Sequence, residues 1–144
     1  MMRGIDTNLL VRFFTGDDPA QDARVKSLFE QMEAADERLH VSTPVLCELV
    51  WTLRIAPFHW TREQLLAVVT DLLDIPLFEV QDRELVRRAL ADSKRGPAGF
   101  ADYLLGWQNR AAGCTDTVTF DRALAGHPLF TVLRTAPASA PEPP

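Results

Sequence analysis

The sequence is poor in residues that cross-link small proteins or bind soft metal ions. Its two cysteines, Cys47 and Cys114, are far apart and form no CxxC pair, which argues against a disulfide framework and a thiolate zinc site. The three histidines have no metal-ligand spacing. So few cysteines are typical of proteins in a reducing compartment, and we expect a cytoplasmic protein.

Long apolar runs are missing as well. No stretch approaches the roughly 18 consecutive apolar residues of a membrane helix. The N-terminal residues lack the apolar core and the cleavage site of a signal peptide. We therefore expect neither a membrane span nor a secretory signal.

The sequence has fewer basic than acidic residues. The 144 residues include 15 Lys and Arg against 20 Asp and Glu, for a formal net charge of -5. This balance excludes nucleic-acid binding through bulk positive charge, so contact with a polyanion would require local neutralisation of acidic residues. The length and a hydrophobic content of 47% are those of one globular domain that folds without cross-links.

Short apolar runs alternate with helical patterns, which is typical of β/α units around a mainly parallel sheet. A capping box at Thr61 and Gln64 and a cap at Asp18 mark two helix starts. A proline-rich tail at 135–144 has no large apolar residue and is predicted to be disordered after a domain at 1–134. The patterns predict strands at 3–6, 38–42, 77–80, 115–119 and 129–133, and helices at 7–15, 19–35, 43–54, 62–73, 82–93 and 100–112.

Four acidic residues fall near the carboxyl ends of predicted strands or in the helices that follow. Ligands of open parallel sheets bind at that edge. Clustered carboxylates raise one another's pKa unless a cation compensates them, and Mg²⁺ or Mn²⁺ prefers oxygen ligands. One or two such ions can activate water at a phosphodiester. The four residues are Asp6, Glu48, Asp102 and Asp121.

Each acid also has a purely structural interpretation. Asp6, Asp102 and Asp121 suit helix N-termini, and the periodicity of its helix turns Glu48 to solvent. Gly106, one turn after Asp102, indicates a cleft beside that helix. The joint placement indicates a site more strongly than any single residue does.

The segments DTNLLVRFF, TPVLCELVWTL, FADYLLG and TVTFDRAL, in that order, resemble the PIN-domain ribonucleases. The closest resemblance is to the VapC-type toxins of bacterial toxin–antitoxin modules, and it covers residues 3–133. It implies a three-layer α/β/α fold with a central, mainly parallel sheet of four to five strands. It also implies Mg²⁺- or Mn²⁺-dependent cleavage of RNA, often tRNA or rRNA, a homodimer, and a silencing antitoxin protein.

The same resemblance assigns roles to individual residues. Asp6, Glu48, Asp102 and Asp121 match the catalytic acids, and the first, third and fourth of these match metal ligands. Asn8 and Thr119 match positions that support the site through hydrogen bonds.

One position departs from the family pattern. Many relatives carry an acid just before the FAD phenylalanine, where this chain has Gly99, and Asp116 is the candidate to take its place. Lys94 and Arg95, which precede the Asp102 helix, are the candidate RNA contacts. The apolar surplus of residues 43–73 indicates a homodimer interface.

Two other hypotheses stay open. The first follows from the missing acid at Gly99. It takes the chain as a catalytically weak or silent module that keeps the fold and binds a protein or RNA partner. A third hypothesis is a nuclease directed at DNA, since related acidic sites cut DNA.

Overall fold

A computed structural model describes residues 1–135 of the chain. Of the tail predicted to be disordered, all but the first residue lies outside the described residues. Every observed element starts and ends within about two residues of its prediction. The elements are β1 (Met2–Gly4), α1 (Thr7–Thr15), α2 (Pro19–Ala34), β2 (Arg38–Val41), α3 (Thr43–Arg54), α4 (Arg62–Asp74), β3 (Phe78–Val80), α5 (Arg83–Arg95), α6 (Phe100–Ala111), β4 (Thr117–Thr119), a 3₁₀ turn (Arg122–Leu124) and β5 (Phe130–Val132).

All strand pairs are parallel, which confirms the predicted α/β class. β1, β2 and β3 form a three-stranded sheet with β2 in the centre, and β4 and β5 form a separate pair. The sheet therefore has fewer strands than the four to five predicted. The physical reason is that an apolar run identifies a strand but not its partner, and the described backbone bonds of β4 lead to the segment around β5. Thr117 N donates to Leu129 O at 2.8 Å, and Leu133 N donates to Thr119 O at 2.7 Å.

The core lies on one side of the three-stranded sheet. Leu39 of β2 and Phe78 of β3 are buried and paired in register. α1 and α2 cover them, because the rings of Phe13 and Phe29 lie 6.0 Å and 5.5 Å from the ring of Phe78. Burial of each such side chain contributes about 1.5–3 kcal/mol.

The remaining helices pack in series, α3 on α1, α4 on α3, α5 on α4 and α6 on α5. Trp107 Nε1 donates to Asp92 Oδ2 at 2.7 Å, whereas Tyr103, earlier in α6, lies against Gly96 just after α5. α5 and α6 are therefore antiparallel, and a short loop at 96–99 joins them. No helix within residues 1–135 has the length and apolarity needed to span a bilayer.

The predicted helix caps are confirmed. Thr61 Oγ1 accepts from Gln64 N at 3.2 Å and Gln64 Oε1 accepts from Thr61 N at 2.8 Å, which is a complete capping box. Asp18 Oδ1 accepts from Gln21 N at 3.1 Å. These bonds satisfy N–H groups that the first turn of a helix leaves without a partner.

Candidate active site

Three strands are followed by an aspartate two residues beyond their ends. Asp6 follows β1, Asp82 follows β3 and Asp121 follows β4. Carboxyl ends of parallel strands meet at one edge of a sheet, so Asp6 and Asp82 lie at the same edge. Sequence reasoning singles out the first and third of these but not Asp82, which begins a predicted helix. Its spacing from β3 is the signal that identifies it.

Asp82 accepts one of two hydrogen bonds that join α6 to this edge of the sheet. Gln108 Nε2 of α6 donates to Asp82 Oδ2 at 3.2 Å and to Thr43 Oγ1 at 3.0 Å. Thr43 begins α3 just after β2. The helix that carries Asp102 is therefore anchored beside the ends of β2 and β3.

Asp6 caps α1 and is exposed. Its Oδ1 accepts from Leu9 N at 3.4 Å, and its second oxygen has no hydrogen-bond partner within residues 1–135. Asn8, predicted to support the site, is also exposed, and its side chain makes no hydrogen bond within the same residues. Asp6 thus presents a free carboxylate oxygen at the end of β1.

Glu48 lies on the exposed side of α3, as the periodicity of the helix indicates, and α3 packs on α1, the helix that Asp6 caps. It has no ion pair or side-chain hydrogen bond in the described part of the chain. The neighbouring Cys47 is half-buried, and burial raises the pKa of its thiol. This environment disfavours the thiolate of Cys47.

Asp102 lies in the first turn of α6 and is half-buried. Its Oδ2 accepts from Gly99 N at 3.2 Å, while its own N donates to Gly99 O at 3.1 Å. A Cβ added at Gly99 would lie 3.1 Å from Oδ2. Gly99 therefore allows a close approach between the backbone and the carboxylate.

Asp121 caps the 3₁₀ turn, since its Oδ1 accepts from Ala123 N at 2.9 Å. Thr119 Oγ1 accepts from Asp121 N at 3.1 Å, so the hydroxyl supports the backbone of Asp121. Asp116 stands at the other end of β4, and its carboxylate accepts a hydrogen bond from Thr131 Oγ1. This bond joins the start of β4 to β5, and the supporting role of Asp116 stays a prediction.

The four acids lack basic partners in the described part of the chain. Within residues 1–135, none of Asp6, Glu48, Asp102 and Asp121 forms an ion pair with lysine, arginine or histidine. In that same part of the chain, no three His, Cys, Asp or Glu side chains are grouped closely enough to hold a metal ion. Proteins usually hold Mg²⁺ with one or two carboxylates, completed by waters and substrate phosphates. The donor chemistry fits Mg²⁺ or Mn²⁺, although the described residues form no closed metal cage.

The cleft expected at Gly106 is absent from the described structure, and that interpretation is wrong. Gly106 is buried, and a Cβ there would lie 2.5 Å from the ring of Phe130. The ring fills the space that the missing side chain leaves. Asn109, on the same face of α6, donates to Thr117 Oγ1 at 2.9 Å and so joins α6 to β4.

Positive charge is found at two places close in sequence to Asp102 and Asp121. Lys94 and Arg95 are exposed in the last turn of α5, beside the loop that precedes Asp102. Arg122 and Arg134 line a cavity of about 620 Å³ next to Asp121. None of the four cations has an ion pair within residues 1–135. Both places are open to an anion.

Comparison with known proteins identifies the family to which the chain is similar. A model described as PIN domain matches residues 5–127, a span that contains all four acids. The chain is similar to a VapC ribonuclease of Aquifex aeolicus (strain VF5), with 28% identity over 121 residues, which cover 84% of this chain and 88% of that protein. No solved structure matches the chain.

Proposed function

This chain belongs to the PIN domain family, and on that premise we propose that it is a metal-dependent endoribonuclease that hydrolyses RNA phosphodiester bonds. One observation carries the proposal. Asp6 and Asp121 follow the ends of parallel strands, and no cation within residues 1–135 pairs with either. A protein that is 28% identical over 121 residues is named a ribonuclease.

The proposed site combines three metal ligands with one further catalytic acid. Asp6, Asp102 and Asp121 are the proposed ligands of Mg²⁺ or Mn²⁺, and Glu48 completes the set. A backbone N–H holds one oxygen of each ligand, which leaves the other oxygen free for a cation. Such a cation supplies Lewis-acid stabilisation and lowers the pKa of water.

RNA contact is proposed at the uncompensated cations. Lys94 and Arg95 end the helix that the loop at 96–99 joins to α6, and Arg122 and Arg134 line the cavity that begins one residue after Asp121. Arginine and lysine side chains that contact phosphates orient the RNA backbone but do not recognise its base sequence. These four residues therefore give affinity and orientation, and the choice of RNA rests on other contacts.

The biological role is part of the same proposal. We propose that the protein is the cytoplasmic toxin of a toxin–antitoxin pair, that it acts on tRNA or rRNA, and that a partner antitoxin silences it. The VapC name of its relative supports this role. A homodimer is proposed through α3, where the large apolar side chain of Trp51 is 57% exposed.

The decisive experiment compares two isosteric variants of the full chain. Asp6→Asn removes a ligand charge and keeps the cap of α1, since Asn caps helices as well as Asp does. Asp18→Asn makes the same change at the cap of α2, away from the site. Incubation with bacterial RNA in Mn²⁺, followed by sequencing of RNA ends, should show cleavage by wild type and Asp18→Asn only. We expect a loss of at least ~100-fold for Asp6→Asn, more than for residues that merely orient ligands.

Two results would contradict the proposal. Full cleavage in EDTA would exclude a metal requirement, and full cleavage by Asp6→Asn would exclude the assigned site. A silent module, the alternative that Gly99 favours, would bind an RNA or protein partner and cleave nothing in Mn²⁺. Matched RNA and DNA oligonucleotides decide between a ribonuclease and a DNA-directed nuclease.

A further inference from the structure

We infer that Arg62 is a positioning residue for Asp102. Its guanidinium holds the loop at 96–99, and this loop holds the Asp102 carboxylate through the backbone N–H of Gly99. The inference rests on the proposed function, in which Asp102 is a metal ligand. Arg62 itself touches neither the metal nor the RNA in this scheme.

The first link is a set of three hydrogen bonds to backbone carbonyls. Arg62 Nη2 lies 2.7 Å from Ser93 O, 2.8 Å from Gly96 O and 2.7 Å from Ala98 O. Ser93 is in the last turn of α5, where carbonyls have no partner within the helix. One side chain therefore caps α5 and fixes the first part of the loop.

The position of Arg62 in its own helix favours this contact electrostatically. Arg62 is the first residue of α4, where the helix dipole disfavours a cation. Its side chain carries the charge to the C-terminal end of α5, where the dipole favours it. The arginine thus has a local electrostatic cost at α4 that the contact with α5 offsets.

The second link is the packing of the loop against α6. Ala98 N donates to Tyr103 Oη at 3.2 Å, and both residues are buried. A Cβ on Gly96 would lie 2.0 Å from Tyr103 Oη, so the loop and the tyrosine are in close contact. Because Tyr103 follows Asp102 directly, movement of this loop displaces the turn that carries the carboxylate.

The third link is the contact of Asp102 with Gly99. The Gly99 N–H is 3.2 Å from Asp102 Oδ2, and it is the only side-chain hydrogen bond that this carboxylate makes within residues 1–135. The orientation of the free oxygen thus depends on where the loop holds Gly99. Residues that orient ligands in this way commonly affect metal affinity by about 10- to 100-fold.

Arg83 offers a matched control. It is the first residue of α5, and its Nη2 donates to Leu73 O in the last turn of α4. Arg62 and Arg83 therefore both begin a helix and cap the end of another, but only the Arg62 contact leads to Asp102. A purely structural role predicts the same result for the two arginines.

The test measures Mn²⁺ affinity of the full-length protein by electron paramagnetic resonance of free Mn²⁺, together with thermal unfolding in EDTA. Both Arg62→Gln and Arg83→Gln should lower the unfolding midpoint. Only Arg62→Gln should weaken Mn²⁺ binding, by about tenfold. Arg62→Lys, which keeps the charge on a shorter side chain without the planar guanidinium, should give an affinity between those of Arg62→Gln and wild type. In an Asp102→Asn background, Arg62→Gln should cause no further loss.

A second variant tests the same chain of contacts at its other end. Gly99→Pro removes the N–H that donates to Asp102 Oδ2 while leaving Arg62 intact, and the φ of −71° at this position suits proline, so it should also weaken Mn²⁺ binding. This variant decides the matter if Arg62→Gln fails to fold. Normal affinity in Gly99→Pro or in Arg62→Gln, or an equal loss in Arg83→Gln, overturns the inference and leaves the proposed function standing. A wild type that binds no Mn²⁺ overturns both.

Discussion

A carboxylate has two oxygens, and the acids of the candidate site use them for different purposes. One oxygen of Asp6 caps α1, and one oxygen of Asp121 caps the 3₁₀ turn. Asp102 accepts in the same way from Gly99 N. In each case, the bond to a backbone N–H restricts the rotation of the side chain and leaves an oxygen open. A helix cap is therefore compatible with a ligand role and prepares the group for it.

Because Gly106 has no side chain, α6 can pack closely against Phe130 of β5. We expect Gly106→Ala to destabilise the fold, because its Cβ would lie 2.5 Å from the Phe130 ring. Alanine gains about 1 kcal/mol in helix propensity. Overpacking costs about 1–3 kcal/mol, so the free energy of unfolding in urea should fall.

Phe130→Leu provides the control for this prediction, because it removes the ring that the new methyl group would meet. The double variant should lose less stability than the sum of the two single variants, since the two side chains are in contact. An increase in stability for Gly106→Ala alone would show that the backbone of α6 moves away freely.

At the scale of elements, the α5–α6 pair is joined to the segment before β5 by one carboxylate. Asp92 Oδ2 accepts from Trp107 Nε1 at 2.7 Å and lies 3.1 Å from His127 Nε2. Leu129 N donates to His127 Nδ1 at 3.2 Å, so the proton of the neutral ring is on Nε2 and points to Asp92. This contact and the packing of α6 on β4 hold the β4–β5 pair that carries Asp121.

Asp92→Ala should therefore loosen the β4–β5 pair. It leaves the half-buried Trp107 N–H without an acceptor, which costs about 1–3 kcal/mol of unfolding free energy. Amide hydrogen exchange at 117–132 should accelerate in the same variant. Asp71→Ala, at an exposed position of α4, is the control and should stay within about 0.5 kcal/mol of wild type. Equal stability of the two variants would mean that Asp92 does not hold these elements together.

Local signals predict the elements well, and long-range contacts explain what they miss. The capping box at Thr61 and the cap at Asp18 fix helix starts through neighbouring atoms, which a sequence displays directly. Whether β4 joins β1, β2 and β3 depends on contacts with the opposite end of the chain, so the number of strands in the sheet is not predicted. Arg62 is a further example, because three carbonyls more than thirty residues away occupy it. The metal role of the four acids stays a prediction.

At the scale of the whole molecule, the acidic charge determines how RNA can bind. The net charge of -5 repels phosphates at a distance. The four proposed contact cations would give a salt slope of at most about −3, at about −0.7 per neutralised phosphate on a single strand. A cation shared between the acids and the phosphate would convert the most repulsive part of the surface into an attractive one. The affinity for RNA should therefore rise with divalent metal concentration more steeply than it falls with monovalent salt concentration.

This expectation is tested with Glu48→Gln, which removes a catalytic acid and keeps the three proposed metal ligands. Fluorescence anisotropy with a labelled single-stranded RNA should give a Kd at least about tenfold higher in EDTA than in Mn²⁺, or about 1.4 kcal/mol. Adding Asp6→Asn to this variant should remove most of the metal effect, whereas adding Asp18→Asn should leave it unchanged. Equal Kd values in EDTA and Mn²⁺ would mean that the lysine and arginine side chains alone hold the RNA, and the acidic edge would then have no part in binding.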